Sequence, residues 1–210
     1  MVPNVLLYFV KHPTPGKVKT RLAKTVGEKE AARLYSELTG KNLGVIASLY
    51  QKNIFDLVIV YDPPGKSEDI KRWLSLSCEY LPQCGGGLSE RLKHAFGEAF
   101  SAKGGSASGG QKGAKRVMAL GSDTLGLTTD IIQQGFEALQ SNDVVVGPAE
   151  DGGYYLIGSA SFQPKLFEGI PWSTSGVLPQ TYKIINNLHL SYQTLSQLQD
   201  LDEIKIGERT

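Results

Sequence analysis

The sequence RVMALGSDT at residues 116–124 decides the fold of this chain. The apolar residues 117–120 end in glycine, serine and aspartate, which is typical of a short strand buried on both faces. In an open α/β sheet the ligand lies outside the carboxyl ends of the strands. Asp123 is therefore predicted to face a ligand, and its carboxylate can bind a divalent cation that in turn binds a diphosphate. The alternative is that Asp123 only turns or caps the chain before a helix that begins near Thr128.

Strands and helices are predicted to alternate on both sides of this stretch. Apolar runs predict strands at residues 5–10, 54–61, 78–81, 143–147 and from 154 onward, and residues 192–206 are predicted to form a last short strand and a polar tail. Helical spacing predicts helices at residues 28–50, 67–76, 88–102, 128–139 and 176–187. This order, which shows no internal repeat, predicts a three-layer α/β fold with a mostly parallel sheet and helices on both faces.

The length of 210 residues suits a single domain over residues 1–210. Residues 103–115 contain five glycines and two serines and almost nothing apolar, so they are predicted to form a flexible surface loop. A domain boundary is not expected there, because the strand that leads to Asp123 follows immediately.

Composition excludes several classes of protein. The net charge of +1 argues against a nucleic-acid partner or an anionic lipid surface. No apolar run approaches the roughly 20 residues that span a bilayer. The start of the chain lacks the flanks of a signal peptide, so a cytoplasmic location is expected, with Cys78 and Cys84 as reduced thiols. The three histidines show no zinc-type spacing.

A basic segment follows the first predicted strand. Residues 11–24 contain five Lys/Arg and no acidic residue, which predicts a local anion site. Two prolines and Gly16 favour a loop with restricted backbone angles. On an extended loop Lys19 and Arg21 would project to the same side, where they could bind phosphate oxygens. The alternative is a solvated basic loop.

A second dense motif, GPAEDGGYYLIG, occupies residues 147–158. An ordinary Asp-Gly hairpin turn needs one acidic residue and one glycine, but here both are doubled. We therefore expect a functional role for Asp151, with Glu150 beside it, at the same sheet edge as Asp123.

Weaker signals complete the set of candidate ligand-binding residues. Three glycines at 85–87 precede a helix, and Arg91 lies one turn into it, although an exposed arginine is the plain alternative. Trp172 could stack on a sugar or a base, but a buried tryptophan is equally consistent with the sequence. Ser122 beside Asp123 and Ser173 beside Trp172 offer hydroxyl groups.

Four motifs together resemble a bacterial family of glycosyltransferase-like proteins. They are PGKVKTRL at residues 15–22, GSD at 121–123, GPAEDGGYYLIG at 147–158 and PWST at 171–174. The family is grouped with the nucleotide-diphospho-sugar transferases of the GT-A type, and some members are named for arsenosugar biosynthesis. The match runs nearly end to end, and the Glu-Asp-Gly-Gly-Tyr-Tyr block is quite specific. The resemblance implies a Rossmann-like GT-A sheet that binds a nucleoside diphosphate sugar together with Mg²⁺ or Mn²⁺.

The resemblance also implies roles for individual residues. Lys19 and Arg21 would contact the diphosphate, Asp123 the metal, and Asp151 the acceptor or the sugar. Two positions differ from the family pattern: Gly87 stands where an acidic residue is usual, and Leu125 where a proline is usual.

The leading hypothesis is a metal-dependent glycosyltransferase that uses a nucleotide-sugar donor and a small-molecule acceptor. In this hypothesis the turn of Glu150 and Asp151 orients an acceptor hydroxyl, with Asp151 as general base. One alternative is a nucleotidyltransferase that joins a nucleoside triphosphate to a phosphorylated acceptor. Another is a non-catalytic nucleotide-binding domain. The sequence indicates no oligomeric state.

Overall fold

The structure is a computed structural model that describes residues 4–101 and 114–201. Its strands are β1 (Asn4–Lys11), β2 (Asp56–Asp62), β3 (Glu79–Pro82), β4 (Arg116–Gly121), β5 (Thr124–Leu125), β6 (Val144–Pro148), β7 (Tyr154–Ser159), β8 (Tyr192–Thr194) and β9 (Gln199–Asp200). Its helices are α1 (Thr20–Val26), α2 (Glu28–Tyr50), α3 (Ser67–Leu74), α4 (Leu88–Phe100), α5 (Thr129–Ala138) and α6 (Val177–Asn187). Short 3₁₀ turns lie at Pro64–Lys66 and Pro164–Phe167.

Seven strands form the central sheet in the order β3-β2-β1-β4-β7-β6-β8. β1 is parallel to both β2 and β4, β2 is parallel to β3, and β6 is parallel to β8. Only β7 runs against its neighbours β4 and β6 among the strands of this described sheet. The predicted α/β class with a mostly parallel sheet is therefore confirmed.

The sheet separates two apolar clusters because alternate side chains of a strand point to opposite faces. Leu6 and Tyr8 of β1 pack on one face with side chains of α2, α3 and α5. Val5 and Leu7 pack on the other face with side chains of α4 and α6. Helices thus cover both faces, as predicted.

The segment after β1 differs from its prediction. Residues 20–26 form α1, so Lys19 and Arg21 do not lie on one extended loop. Lys19 precedes α1 with a left-handed backbone (φ +47°), whereas Arg21 lies in the first turn of the helix and is exposed. The expectation that strand-like alternation sends both side chains to one side is wrong, because alternation does not apply across a helix start.

The end of the described chain also differs from its prediction. A short strand followed by a polar tail is predicted there, but within residues 192–201 the chain forms β8 and then β9, which pairs with β5 in a separate two-stranded sheet. Thr124 lies opposite Asp200, and Leu125 lies opposite Gln199. Residues 102–113 and 202–210 lie outside the described residues, so the predicted flexible loop at 103–115 and the single-domain assignment stay predictions.

Two further expectations concern thiols and membranes. Cys78 and Cys84 are both free, and burial raises the pKa of the Cys78 thiol to about 11. Across residues 4–101 and 114–201, no helix is both long and apolar enough to cross a membrane.

Candidate active site

The candidate residues gather at the edge of the sheet where the parallel strands end. Lys11 ends β1, Asp62 ends β2, and Gln83 directly follows β3. Ser122 and Asp123 directly follow β4, which is parallel to β1. The carboxyl ends of parallel strands meet at one edge, and ligands of open α/β sheets bind outside that edge.

Lys19 and Asp123 form an ion pair at this edge. The Nζ atom of Lys19 lies 2.5 Å from Oδ2 of Asp123, and their side chains are 6% and 37% exposed, respectively. Lys19 has a left-handed backbone directly before α1. The loop after β1 and the acidic turn after β4 therefore meet, with the carboxylate still open to solvent.

Gly16 shapes the same loop. It has φ +75°, and a Cβ atom at this position would lie 3.0 Å from a carboxylate oxygen of Glu28. A larger residue would meet both backbone strain and this side chain. Gly16 thus allows the loop to pass close to the start of α2.

Buried polar groups of α2 hold the turn that carries Asp123. The Nδ2 atom of Asn42 donates to the carbonyl oxygens of Ser122 (3.4 Å) and Thr124 (2.8 Å). The hydroxyl of Ser122 is 2.7 Å from that of Tyr35, which also accepts the backbone N–H of Lys11 at 2.9 Å. Ser122, predicted to contact the ligand, is thus buried and bonded beneath the turn.

Arg91 is fixed above the ends of β1, β2 and β3. Its Nε donates to the carbonyl of Gly86 at 3.2 Å and its Nη1 to Oε1 of Gln83 at 2.9 Å. Nη1 also lies 3.8 Å from a carboxylate oxygen of Asp62. The amide of buried Gln83 donates in turn to the carbonyls of Val60 (3.1 Å) and Val10 (3.5 Å).

Gln83 was missed at the level of sequence. The available signal was a polar residue placed directly after a strand, as Asp62 is after β2. The structure shows that Gln83 supports Arg91 and bonds to backbone carbonyls of two neighbouring strands.

The side chain of Glu90 in α4 packs against the glycine-rich turn that precedes this helix. Glu90 accepts the backbone N–H of Gly87 at 3.0 Å. A Cβ atom at Gly86, which has φ +94°, would lie 3.2 Å from side-chain carbons of Glu90. The family pattern has an acidic residue at position 87 itself. In this chain Gly87 occupies that position, and the carboxylate of Glu90 lies beside it.

The turn of Glu150 and Asp151 joins β6 to β7 at the same sheet edge. Asp151 is exposed, and its Oδ1 accepts the N–H of Gly153 at 2.8 Å. Glu150 is exposed and accepts a hydrogen bond from Nε2 of Gln199 at 2.8 Å. Because Gln199 pairs with Leu125, the acidic turn is tied to the segment that follows Asp123.

Trp172 is partly buried and makes structural contacts. Its Nε1 donates to the hydroxyl of Ser89 at 2.7 Å, and its ring packs edge-on against Tyr154 with centroids 6.0 Å apart. The Tyr154 hydroxyl is buried without a hydrogen-bond partner among the described residues, and burial raises its pKa. Ser173 is exposed and has a left-handed backbone with φ +64°.

The carboxylates at this edge are of a type that could bind a divalent cation together with a phosphate. Within the described parts of the chain, no group of three or more His, Cys, Asp or Glu side chains could hold a metal by itself. Mg²⁺ is usually bound through one or two carboxylates together with substrate phosphates. Asp123 offers a partly exposed carboxylate, and Asp200 lies opposite Thr124, the residue next to it.

The comparisons with known proteins show the family. Residues 45–174 match the family described as "Uncharacterized protein conserved in bacteria (DUF2064)". The chain belongs to this family. No curated protein matches the chain.

A solved structure is similar to nearly the whole chain. It is that of a protein from Desulfovibrio desulfuricans G20, provisionally named a nucleotide-diphospho-sugar transferase. The two sequences are 37% identical, and the match covers 96% of this chain and 83% of the other, with a TM-score of 0.85. The predicted resemblance to nucleotide-diphospho-sugar transferases is therefore confirmed.

More distant structures share the fold alone. One is a 4-diphosphocytidyl-2C-methyl-D-erythritol synthase from Anaerococcus prevotii DSM 20548, with 9% identity, coverage of 99% of this chain and 94% of the other, and a TM-score of 0.57. Another is Rv0371c from Mycobacterium tuberculosis H37Rv in complex with manganese, with 10% identity, coverage of 96% and 92%, and a TM-score of 0.51.

Proposed function

We propose that this protein is a metal-dependent glycosyltransferase that moves a sugar from a nucleotide-activated donor to a small-molecule acceptor. The observation that carries the proposal is the contact between Lys19 and Asp123 at the carboxyl ends of β1 and β4. A cation and a partly exposed carboxylate that meet at this edge can bind one diphosphate, the carboxylate through a divalent metal. The name given to the D. desulfuricans relative supports the donor class.

Lys19 and Arg21 would bind the diphosphate in this proposal. Their positive charges would stabilise the negative charge that grows on the leaving nucleoside diphosphate. Asp123 and Asp200 would hold Mg²⁺ or Mn²⁺, which when bound supplies Lewis-acid stabilisation of the same charge. The manganese complex of Rv0371c supports the choice of metal.

Other candidate residues would position the rest of the donor. Arg91, held by Gln83, lies over the ends of the strands on the far side of β1 from Asp123. It would therefore contact the donor at a distance from the metal. Trp172 and Ser173, which follow Pro171, would contact the sugar or the base, while Gly16 and Ser122 would keep the loop and the turn in place.

The acidic hairpin turn would act on the acceptor. Glu150 would orient the acceptor, and Asp151 would accept the proton of the acceptor hydroxyl through Oδ2, because Oδ1 is bonded to Gly153. The bond between the sugar carbon and the diphosphate oxygen breaks as the bond to the acceptor oxygen forms. The leaving group is the nucleoside diphosphate.

A nucleotidyltransferase is the second candidate. The fold shared with 4-diphosphocytidyl-2C-methyl-D-erythritol synthase favours it. In that case the same loop and carboxylate would bind a nucleoside triphosphate, and the leaving group would be pyrophosphate rather than a nucleoside diphosphate.

Ligand-dependent thermal stability separates these candidates. The protein is heated with Mn²⁺ or Mg²⁺ and a panel of UDP, GDP, CDP and dTDP sugars or the matching triphosphates, since a ligand of the native state raises the Tm. Stabilisation by a sugar nucleotide, followed by release of the nucleoside diphosphate on adding acceptors, supports the glycosyltransferase. Stabilisation by a triphosphate with release of pyrophosphate supports the nucleotidyltransferase. Metal-dependent binding without turnover of any donor indicates a non-catalytic nucleotide-binding domain. If no ligand changes the Tm, all three hypotheses are contradicted.

A further inference from the structure

We infer that Tyr35 is a positioning residue whose hydroxyl couples the basic loop after β1 to the Asp123 turn after β4. The expected effect on ligand binding rests on the proposed function, whereas the structural coupling does not. Its structural basis is that one hydroxyl oxygen bonds to both segments. It accepts the backbone N–H of Lys11, where the basic loop begins, and it is 2.7 Å from the hydroxyl of Ser122, which precedes Asp123.

The ring of Tyr35 contributes to the same coupling. Tyr35 is only 4% exposed and belongs to a small apolar cluster that includes Val18 and Leu22, which flank Lys19. Leu201 belongs to the same cluster, and its backbone N–H donates to the carbonyl of Asp123 at 3.0 Å. Tyr35 therefore contacts residues close to Lys19 and residues close to Asp123. Its hydroxyl and its ring both contribute to these contacts.

The protonated hydroxyl is suited to this role. Burial raises the pKa of Tyr35 above its usual value of 10.0, so the group keeps its proton at neutral pH. It can then accept from Lys11 and donate to Ser122 at the same time. Loss of the hydroxyl would leave the Lys11 N–H and the buried Ser122 hydroxyl without this partner, which is unfavourable for buried polar groups.

Tyr8 provides a matched control. It is fully buried, and its hydroxyl donates to the carbonyl of Thr39 at 3.1 Å. This bond also links the sheet to α2, but it reaches neither the basic loop nor the Asp123 turn. Tyr35→Phe and Tyr8→Phe therefore each remove one buried hydroxyl that forms a hydrogen bond between α2 and another segment. Only Tyr35→Phe removes the bonds to the basic loop and to the Asp123 turn.

The first readout is the protection of Lys19 and needs no ligand. The native protein is acylated briefly, and mass spectrometry gives the labelling of Lys19 relative to exposed Lys17. In Tyr35→Phe we expect the relative labelling of Lys19 to rise at least about twofold, because protection follows local opening. In Tyr8→Phe we expect no change, even at an equal loss of Tm. If Tyr35→Phe does not fold, Ser122→Ala removes the same bond from the other side and is expected to raise Lys19 labelling in the same way.

The second readout is the Mn²⁺-dependent affinity for UDP, GDP and CDP. Changes in residues that orient a metal ligand cost roughly tenfold or more in affinity, so Tyr35→Phe should weaken binding by about tenfold. Unchanged Lys19 labelling in Tyr35→Phe, or an equal rise in Tyr8→Phe, would overturn the inference. If the wild-type protein binds no nucleotide, the proposed function fails, while the labelling experiment still decides whether Tyr35 couples the two segments.

Discussion

The Nζ atom of Lys19 lies 2.5 Å from Oδ2 of Asp123, although the two residues are 104 positions apart in the chain. The pair brings the loop after β1 to the end of β4, two strands that are neighbours in the sheet. The lysine side chain is nearly enclosed, while the carboxylate remains accessible. The ion pair therefore joins the charged groups of two chain segments at this edge of the sheet.

Replacement of Asp123 tests the metal site. Asp123→Asn keeps the size of the side chain but removes its charge, so we expect loss of the Mn²⁺-dependent stabilisation by nucleotides. Activity should fall on the order of 10²-fold or more, as for the loss of a group that stabilises transition-state charge. Nearly enclosed Lys19 loses this carboxylate, so the Tm should fall, but the far-UV circular dichroism spectrum of the folded variant should not change. Asp130→Asn, at an exposed position in the first turn of α5, is the control, and near wild-type activity of Asp123→Asn would contradict the metal role.

Arg21 tests whether the start of α1 takes part in phosphate binding. Arg21 is exposed, and Arg21→Ala should therefore leave the urea midpoint unchanged. The loss of a hydrogen bond to a charged group should raise the Kd for a nucleoside diphosphate by about tenfold, which calorimetry measures. Lys24→Ala removes an exposed charge from the last turn of the same helix and should leave the Kd unchanged. Equal effects of the two variants would show that only the general charge of the segment matters.

Gln83→Leu tests the support of Arg91. The change removes an acceptor for Arg91 and two amide bonds to strand carbonyls, so it should destabilise the protein by about 1–3 kcal/mol and weaken nucleotide binding. Thr181→Val is the matched control, because it removes a buried hydroxyl that donates to the carbonyl of Val177 within α6. Urea unfolding should show a loss in both variants. The affinity for nucleotides should fall only in Gln83→Leu, and an unchanged affinity there would exclude a ligand role for this network.

Gly152→Ala tests the geometry of the acidic turn. Gly152 has φ +87°, and a Cβ atom there would lie 2.7 Å from backbone atoms of Ser175. Gly169 has φ +64° but no atom near the position of a Cβ, so Gly169→Ala introduces the backbone strain without the clash. Backbone strain costs of order 1–3 kcal/mol, and we expect a larger loss in Gly152→Ala, measured by urea unfolding. Equal losses would mean that the turn can move away from Ser175 freely.

Much of the fold could be predicted from the sequence, because buried parallel strands read as continuous apolar runs. The helix α1 could not be recognised, since Leu22 is the only buried residue in its seven positions and gives no periodicity. The strands β5 and β9 have two residues each, too few for any pattern. The place of β7 between β4 and β6 depends on pairing across the sheet, which the order of strands in the chain does not determine.

The candidate site divides in the same way. Asp123 could be proposed because it follows a strand end, where ligands of such sheets bind, and Lys19 because it lies in a basic loop without acidic residues. Tyr35 and Asn42 could not be, because their hydrogen bonds join residues that are distant in the chain. Gln83 also directly follows a strand, but only its bonds to Arg91 and to two strand carbonyls distinguish it from an ordinary loop residue. Tyr35 and Asn42 lie on the buried face of α2 and cannot be distinguished there from ordinary core positions.

The direction of β7 affects which residues of the candidate site can change without disturbing the sheet. Since β7 runs against β6, a tight hairpin rather than a crossover helix brings Glu150 and Asp151 to the edge of the sheet where β4 ends. Both side chains are exposed, and Gly152 of the same hairpin lies close to the backbone of Ser175. Under the proposed function, a new acceptor preference would therefore need only an exchange of Glu150 at this loop tip, while Asp151 and the interior of the sheet stay as they are.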